Sequence, residues 1–244
     1  LDQIRQRIAS ACAKAKRQES EVTLIAVTKA AAPEQIREIL QLGVGDLGES
    51  RVQVLTQRAA QVNEFFVRQK SHGNESLASK LRWHLIGHLQ RNKVKAVLPL
   101  VQLIHSVDSL RLAEELDAQA GRIQRRMPVL LQLNASEEKS KFGVAVGAAV
   151  HLAEQIDSMP NLQIMGLMTM APLDSTPDEA RAVFARTREI FEELKWHKIG
   201  GNSLRHLSMG MSGDFEPAIL EGATMVRIGT ALFGGEVHDS EDGA

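Results

Sequence analysis

Residues 2–17 place Ile4, Ile8, Cys12 and Ala15 among charged neighbours, the spacing of one helix face. Val22–Thr28 (VTLIAVT) follows as a short apolar, β-branched run, too short for a core helix and suited to a buried parallel strand. Pro33 then opens a helix that runs to Leu42 and stops at Gly43. The same alternation continues down the chain. Val44–Gly48, Leu81–Gly87, Val101–Val107, Pro128–Asn134, Leu162–Met168, Arg205–Met209 and Thr224–Gly229 read as strands. Helical stretches fall between them at about 50–63, 90–98, 109–120, 146–158, 178–194 and 215–221.

Strict strand–helix alternation calls for a parallel sheet, because parallel neighbours need a crossover connection. Eight such units in 244 residues match closure as a (β/α)8 barrel, whereas a doubly wound sheet usually has fewer strands. The expected fold class is therefore α/β: a single TIM barrel with an extra N-terminal helix. Phe65–Ser79 (FFVRQKSHGNESLAS) is long and polar and reads as an insertion between the second helix of the repeat and the third strand. One barrel domain is expected over residues 1–235, with residues 236–244 a flexible acidic tail.

Composition narrows the function classes. Hydrophobic residues make up 43% and charged residues 24%, enough apolar material for a large core. A formal net charge of -1 supplies no general attraction for nucleic acid or an anionic membrane, so a small-molecule partner is expected. Cys12 is the single cysteine, lies in the apolar stripe of the first helix, and cannot close an intrachain disulfide. No apolar run is long enough to span a bilayer, and a reducing cytoplasm is the expected compartment.

Barrel sites form where the strands end, at the C-terminal face. Lys29 is such a residue, and counting back by two puts Val27, Ile25 and Thr23 on its face. A lysine at the barrel mouth is expected to be desolvated, which lowers its pKa and frees the amine that attacks aldehydes. A lysine that snorkels to solvent from a strand end is the alternative. In the eighth strand, Arg227 shares a face with Met225 and Gly229, and closure sets that strand beside the first. Gly229 and Thr230 follow, and Ser208-Met209-Gly210-Met211-Ser212-Gly213 has the same small, hydroxyl-rich character. Such loops after strands seven and eight are the usual phosphate cradle of this barrel. An amine nucleophile, a guanidinium and a phosphate cradle in one pocket point to a phosphorylated aldehyde cofactor, with pyridoxal 5′-phosphate as the candidate.

The segments AVTKA (26–30), LGESRVQ (47–53), WHLIGHLQRNK (83–93), the KFG ending of SEEKSKFG (136–143), GLMTMAP (166–172) and LSMGMSGDFEPAILEGATMVRIGTALFG (207–234) resemble the pyridoxal phosphate homeostasis proteins. The likeness covers nearly the whole chain in order. It implies Lys29 as the Schiff-base lysine, Arg227 facing the pyridine nitrogen, and Ser208, Gly229 and Thr230 at phosphate-binding positions. Ser50, His84, Met209 and Gly210 are further candidate contacts, and Lys141 matches a family lysine near the pocket entrance. The implied fold is the barrel of alanine racemase without the racemase's second domain. Two positions depart from the family pattern: Ser50 stands where Asn is frequent, and Ala31 stands where many members carry a second lysine.

His84 and His88 fall on a strand and its following turn and not on one helix, so no metal is expected there. Glu49 and Asp46 read as structural, and Met165, Met168 and Met170 as barrel packing that could touch the ring. Two functions compete: a carrier or buffer of pyridoxal phosphate serving intracellular apo-enzymes, or a pyridoxal-dependent amino-acid racemase. The chain contains no tyrosine, the residue that alanine racemases set opposite the lysine as second base, and little of it follows the eighth strand. A guanidinium at the pyridine nitrogen donates but does not protonate, which weakens the ring as an electron sink. A monomeric carrier without strong catalysis is the expectation.

Overall fold

The β-branched run after the first helix forms β1 (Thr23–Val27) in the computed structural model of the protein, which describes residues 1–70, 81–138 and 142–234. Seven more runs behave alike and give β2 (Asp46–Glu49), β3 (Arg82–Leu85), β4 (Leu103–Val107), β5 (Met127–Asn134), β7 (Leu162–Met168), β8 (His206–Ser208) and β9 (Met225–Ile228). A two-residue strand, β6 (Val144–Ala145), pairs with Leu133 and Asn134 and was not legible in the hydrophobic pattern. All pairings are parallel. β1 pairs with both β2 and β9, and β4 pairs with β5, so eight strands close into the expected barrel with β6 as an appendage.

Period-two alternation divides the core into two. Ala26, Leu47, Leu85, Ile104, Val226 and Ile228 face outward and pack under the helices, whereas Ile25, Leu103, Leu130, Met165, Met168 and Met225 fill the barrel interior. The helices are α1 (Asp2–Lys14), α2 (Pro33–Gln41), α3 (Val52–Lys70), α4 (Val94–Val97), α5 (Leu110–Arg122), α6 (Ala149–Asp157), α7 (Pro177–Trp196), α8 (Phe215–Leu220) and α9 (Thr230–Phe233). α1 packs on α8 through its apolar stripe, and Cys12 is buried there.

Two helical expectations need correction. α3 runs through Lys70, so the polar segment expected to begin an insertion at Phe65 is helical at first, with Phe66 buried in the core. Residues 71–79 lie outside the described residues. The stretch at 90–98 is a 3-10 turn, Arg91–Lys93, followed by the single turn of α4. The expected tail, 236–244, also lies outside the described residues. Among the described residues no helix is long and apolar enough to cross a membrane.

β7 carries an irregularity. Val129 pairs with Ile164 and Leu130 with Gly166, so Met165 is an extra residue in the strand, a β-bulge. Gly166 lies at φ +152°, with the backbone of His206 on β8 pressed against it.

Candidate functional site

The register of β1 and β9 sets the geometry of the barrel mouth. Thr23 pairs with Met225 and Ile25 with Arg227. Ile25 and Met225 both belong to the interior cluster, and Arg227, two residues after Met225, points inward and is only 3% exposed. Its Nη1 donates to Ser208 Oγ at 2.7 Å and its Nη2 to the Thr169 carbonyl at 2.9 Å. Burial pushes the Arg227 pKa down to about 10, against a smaller opposing pull from Asp214, so the group stays cationic at neutral pH.

Lys29 lies beyond the end of β1 in an exposed turn. The expected desolvated strand-end lysine is therefore corrected. The strand stops at Val27, and buried Thr28 turns the chain out of the sheet by hydrogen bonding Glu49 Oε2 at 2.9 Å. The Lys29 carbonyl accepts from Arg58 Nη2 at 3.4 Å, and Arg58 Nε also lies 3.4 Å from Glu49 Oε2. Glu49 and Arg58 thus brace the turn, which agrees with a structural reading of Glu49. Arg227 and Lys29 come from adjacent strands as expected but differ in depth: the guanidinium is buried and the lysine is at the rim.

The loop after β8 holds the small-residue site. Gly210 lies at φ +93°, and a Cβ there would come 2.8 Å from Phe215 Cα, so only glycine lets the loop close on α8. The Gly210 carbonyl accepts from Arg227 N at 3.0 Å, which ties this loop to β9. Ser212 Oγ then sits opposite the turn after β9 and accepts long hydrogen bonds from Gly229 N at 3.4 Å and Ala231 N at 3.3 Å. Thr230 is exposed in the same turn. Ser212 was one of several small residues in the sequence and was not singled out there.

Ser208 and Met209 leave this surface. Ser208 is in phase with His206 on β8 and is fully buried, its hydroxyl committed to Arg227 and, at 2.8 Å, to His105 Nδ1. The Met209 side chain is buried in the outer core beneath the helices. Ser50 stays at the rim after β2, half-buried, with its N–H donated to Glu49 Oε1 at 2.9 Å. Met165, Met168 and Met170 pack the interior. Lys141 lies outside the described residues.

His84 is not at the mouth. It is buried inside the barrel, with Nδ1 3.0 Å from His105 Nε2 and Nε2 2.9 Å from Asp46 Oδ1. Asp46 accepts a bidentate pair from Arg82 at the opposite, N-terminal end of the strands. Burial would raise the Asp46 pKa, but hydrogen bonds from His84 and Arg82 outweigh it and hold the carboxyl below its ordinary value. Burial first, then the nearby Arg227 cation, drives His105 well below the usual imidazole range. His88 faces elsewhere, stacked on Phe142 at 4.0 Å and 3.4 Å from Asp108.

The alanine racemase N-terminal domain family matches residues 1–237. A pyridoxal phosphate homeostasis protein of Aquifex aeolicus is 38% identical over 234 residues, covering 96% of each chain. The chain belongs to the pyridoxal phosphate homeostasis protein family. The Escherichia coli K12 member is 34% identical over 234 residues, 96% of this chain and 94% of its own. PipY of Synechococcus elongatus PCC7942, solved with pyridoxal phosphate bound, matches with a TM-score of 0.78 at 36% identity, covering 95% of this chain and 100% of PipY. Beyond the family, alanine racemase of Clostridium difficile 630 shares the barrel fold, with a TM-score of 0.68 at 15% identity over 96% of this chain and 56% of the racemase.

Proposed function

We propose that this protein binds pyridoxal 5′-phosphate covalently on Lys29 and acts in intracellular vitamin B6 homeostasis, as a monomeric cytoplasmic carrier without strong catalysis of its own. One observation carries this reading. β9 delivers the inward Arg227 directly beside the strand whose following turn holds Lys29. Relatives named for pyridoxal phosphate homeostasis and the cofactor bound to PipY support it.

The residues present fit the cofactor. Gly229 N and Ala231 N make only long contacts to Ser212 Oγ, so both can turn to a phosphate oxygen. Lys29 would hold the aldehyde carbon, Arg227 the pyridine nitrogen, Ser212, Gly229 and Thr230 the phosphate, and Ser50 and the Gly210 backbone would flank the ring. Bound there, the cofactor supplies an electrophilic aldehyde and an electron-withdrawing ring. The buried cation at Arg227 would hydrogen-bond the ring nitrogen without protonating it, which would limit that withdrawal. No tyrosine exists in the chain to act as an opposing base.

The racemase alternative is separated by incubation with L-amino acids in heavy water. The carrier reading expects negligible α-deuteration and measurable transfer of pyridoxal phosphate to an added apo-enzyme. Sustained α-deuteration at roughly 1 per second or faster overturns it.

The cradle gives a second expectation. Ser212→Ala and Thr230→Val should each weaken pyridoxal phosphate binding by about 1–3 kcal/mol through lost charge-assisted hydrogen bonds, while leaving unphosphorylated pyridoxal unaffected. Isothermal titration with both ligands checks this. Equal losses for the two ligands would remove these residues from the phosphate.

A further inference from the structure

A continuous hydrogen-bonded chain crosses the barrel interior between its two ends. It runs from Arg227 through Ser208 at 2.7 Å, His105 at 2.8 Å and His84 at 3.0 Å to Asp46 at 2.9 Å. Its members come from β9, β8, β4, β3 and β2, and Ser208, His105, His84 and Arg227 are all at most 3% exposed. Ile25, Leu103, Leu130 and Met225 supply the apolar interior around them.

With both imidazoles neutral, the two ends dictate the direction of every bond. A carboxylate only accepts, so His84 Nε2 must carry a proton toward Asp46. A neutral His84 then has a bare Nδ1, which must accept from His105 Nε2–H. A neutral His105 has a bare Nδ1, which must accept the one hydroxyl proton of Ser208. Ser208 is left with only lone pairs to offer Arg227, and a guanidinium only donates. All four bonds are directed consistently in one arrangement, with both imidazoles in the Nε2–H form. Among the described residues, the other charged and titratable groups facing this chain are Arg82 on β3, His206 on β8 and Asp214 in the loop after it.

The geometry points to His105 and His84 as positioning residues: they lock the Ser208 hydroxyl as an acceptor toward Arg227 and so fix the plane of the guanidinium that meets the cofactor. Thr169 O holds Nη2 while Ser208 holds Nη1, so two anchors on different nitrogens set that plane. Without His105, the Ser208 proton has no assigned acceptor and its hydroxyl is free to turn against the cation. A buried network of this kind is worth most when every member is satisfied. This inference rests on the proposed placement of the pyridine ring against Arg227.

The test has one arm without cofactor and one with it. In the ligand-free protein labelled with 15N-histidine, long-range 1H–15N spectra at neutral pH should show His84 and His105 both neutral and protonated on Nε2. A His105 protonated on Nδ1, or on both nitrogens, overturns the proposal whatever the cofactor does. In the loaded protein, His105→Leu should lower pyridoxal phosphate affinity about tenfold, roughly one lost hydrogen-bonded anchor, and shift the visible absorption band. His105→Gln, which keeps an acceptor and a donor on one side chain, should recover part of both. Borohydride should fix the cofactor on Lys29 in each variant. Unchanged affinity and spectrum in His105→Leu, with Lys29 labelled as in the parent, overturns the positioning role alone. Failure of the parent protein to label on Lys29 is instead a failure of the cofactor reading, and the histidine spectra still decide the chain.

Discussion

Lys29→Ala is expected to yield a folded protein from which pyridoxal phosphate washes out. The residue is exposed and its backbone carbonyl, not its side chain, accepts from Arg58, so alanine keeps the hydrogen bond that braces the turn. Thr28, Glu49 and Arg58 still hold the chain as it leaves β1. What disappears is the primary amine placed after β1, and with it the proposed covalent link. The proposed phosphate cradle and Arg227 remain, so residual binding should be non-covalent and weaker by about tenfold or more, at least about 1.4 kcal/mol. Gel filtration should strip the yellow colour from the variant but not from the parent. Borohydride reduction followed by peptide mapping should place the cofactor on the 26–30 segment of the parent and nowhere in the variant. If the variant keeps a stoichiometric reduced label on another lysine, Lys141 being the obvious one, the covalent site is misassigned.

The barrel was legible because short apolar runs alternate regularly with helical stretches. Val22–Thr28 and Leu162–Met168 have no reading as core helices at that length, and the structure places β1 and β7 within them. β6 was not legible, since two residues carry no periodicity. The end of α3 was hidden by polarity: the helix continues past Phe65 to Lys70 around buried Phe66, and a polar stretch reads as a loop. At the site, strand phase explains both success and error. Counting by two from Met225 correctly sent Arg227 inward. The same count from His206 sends Ser208 inward too, yet its place in a serine- and glycine-rich string suggested the phosphate loop, and Ser212 turned out to face the turn after β9. His84 and His105 lie in apolar runs at inward phase, but their contact depends on how β3 and β4 tilt and stagger around the closed barrel. That relation between strands is absent from either run taken alone, and the link from His105 to Ser208 spans 103 positions.

Gly166→Ala should cost more stability than any other glycine replacement in the barrel wall, at least about 3 kcal/mol from overpacking against fixed backbone. A Cβ at this position would lie 1.8 Å from the His206 carbonyl oxygen, 2.7 Å from its carbonyl carbon and 2.9 Å from its nitrogen. These are main-chain atoms of the neighbouring strand, so no rotamer change relieves the overlap. The φ of +152° adds a backbone conformation that alanine disfavours. Either the bulge at Met165 is lost, which shifts β7 against β5, or β8 moves outward. Movement of β8 carries Ser208 with it and lengthens its bonds to Arg227 and His105, so cofactor affinity should fall together with stability. Gly147→Ala is the matched control, because a Cβ there meets nothing within 4 Å, and its effect should stay within about 1 kcal/mol. Urea unfolding followed by circular dichroism compares the two directly. Equal midpoints for Gly166→Ala and Gly147→Ala would mean that the barrel closes without the bulge, and that the position of Ser208 beneath Arg227 does not depend on it.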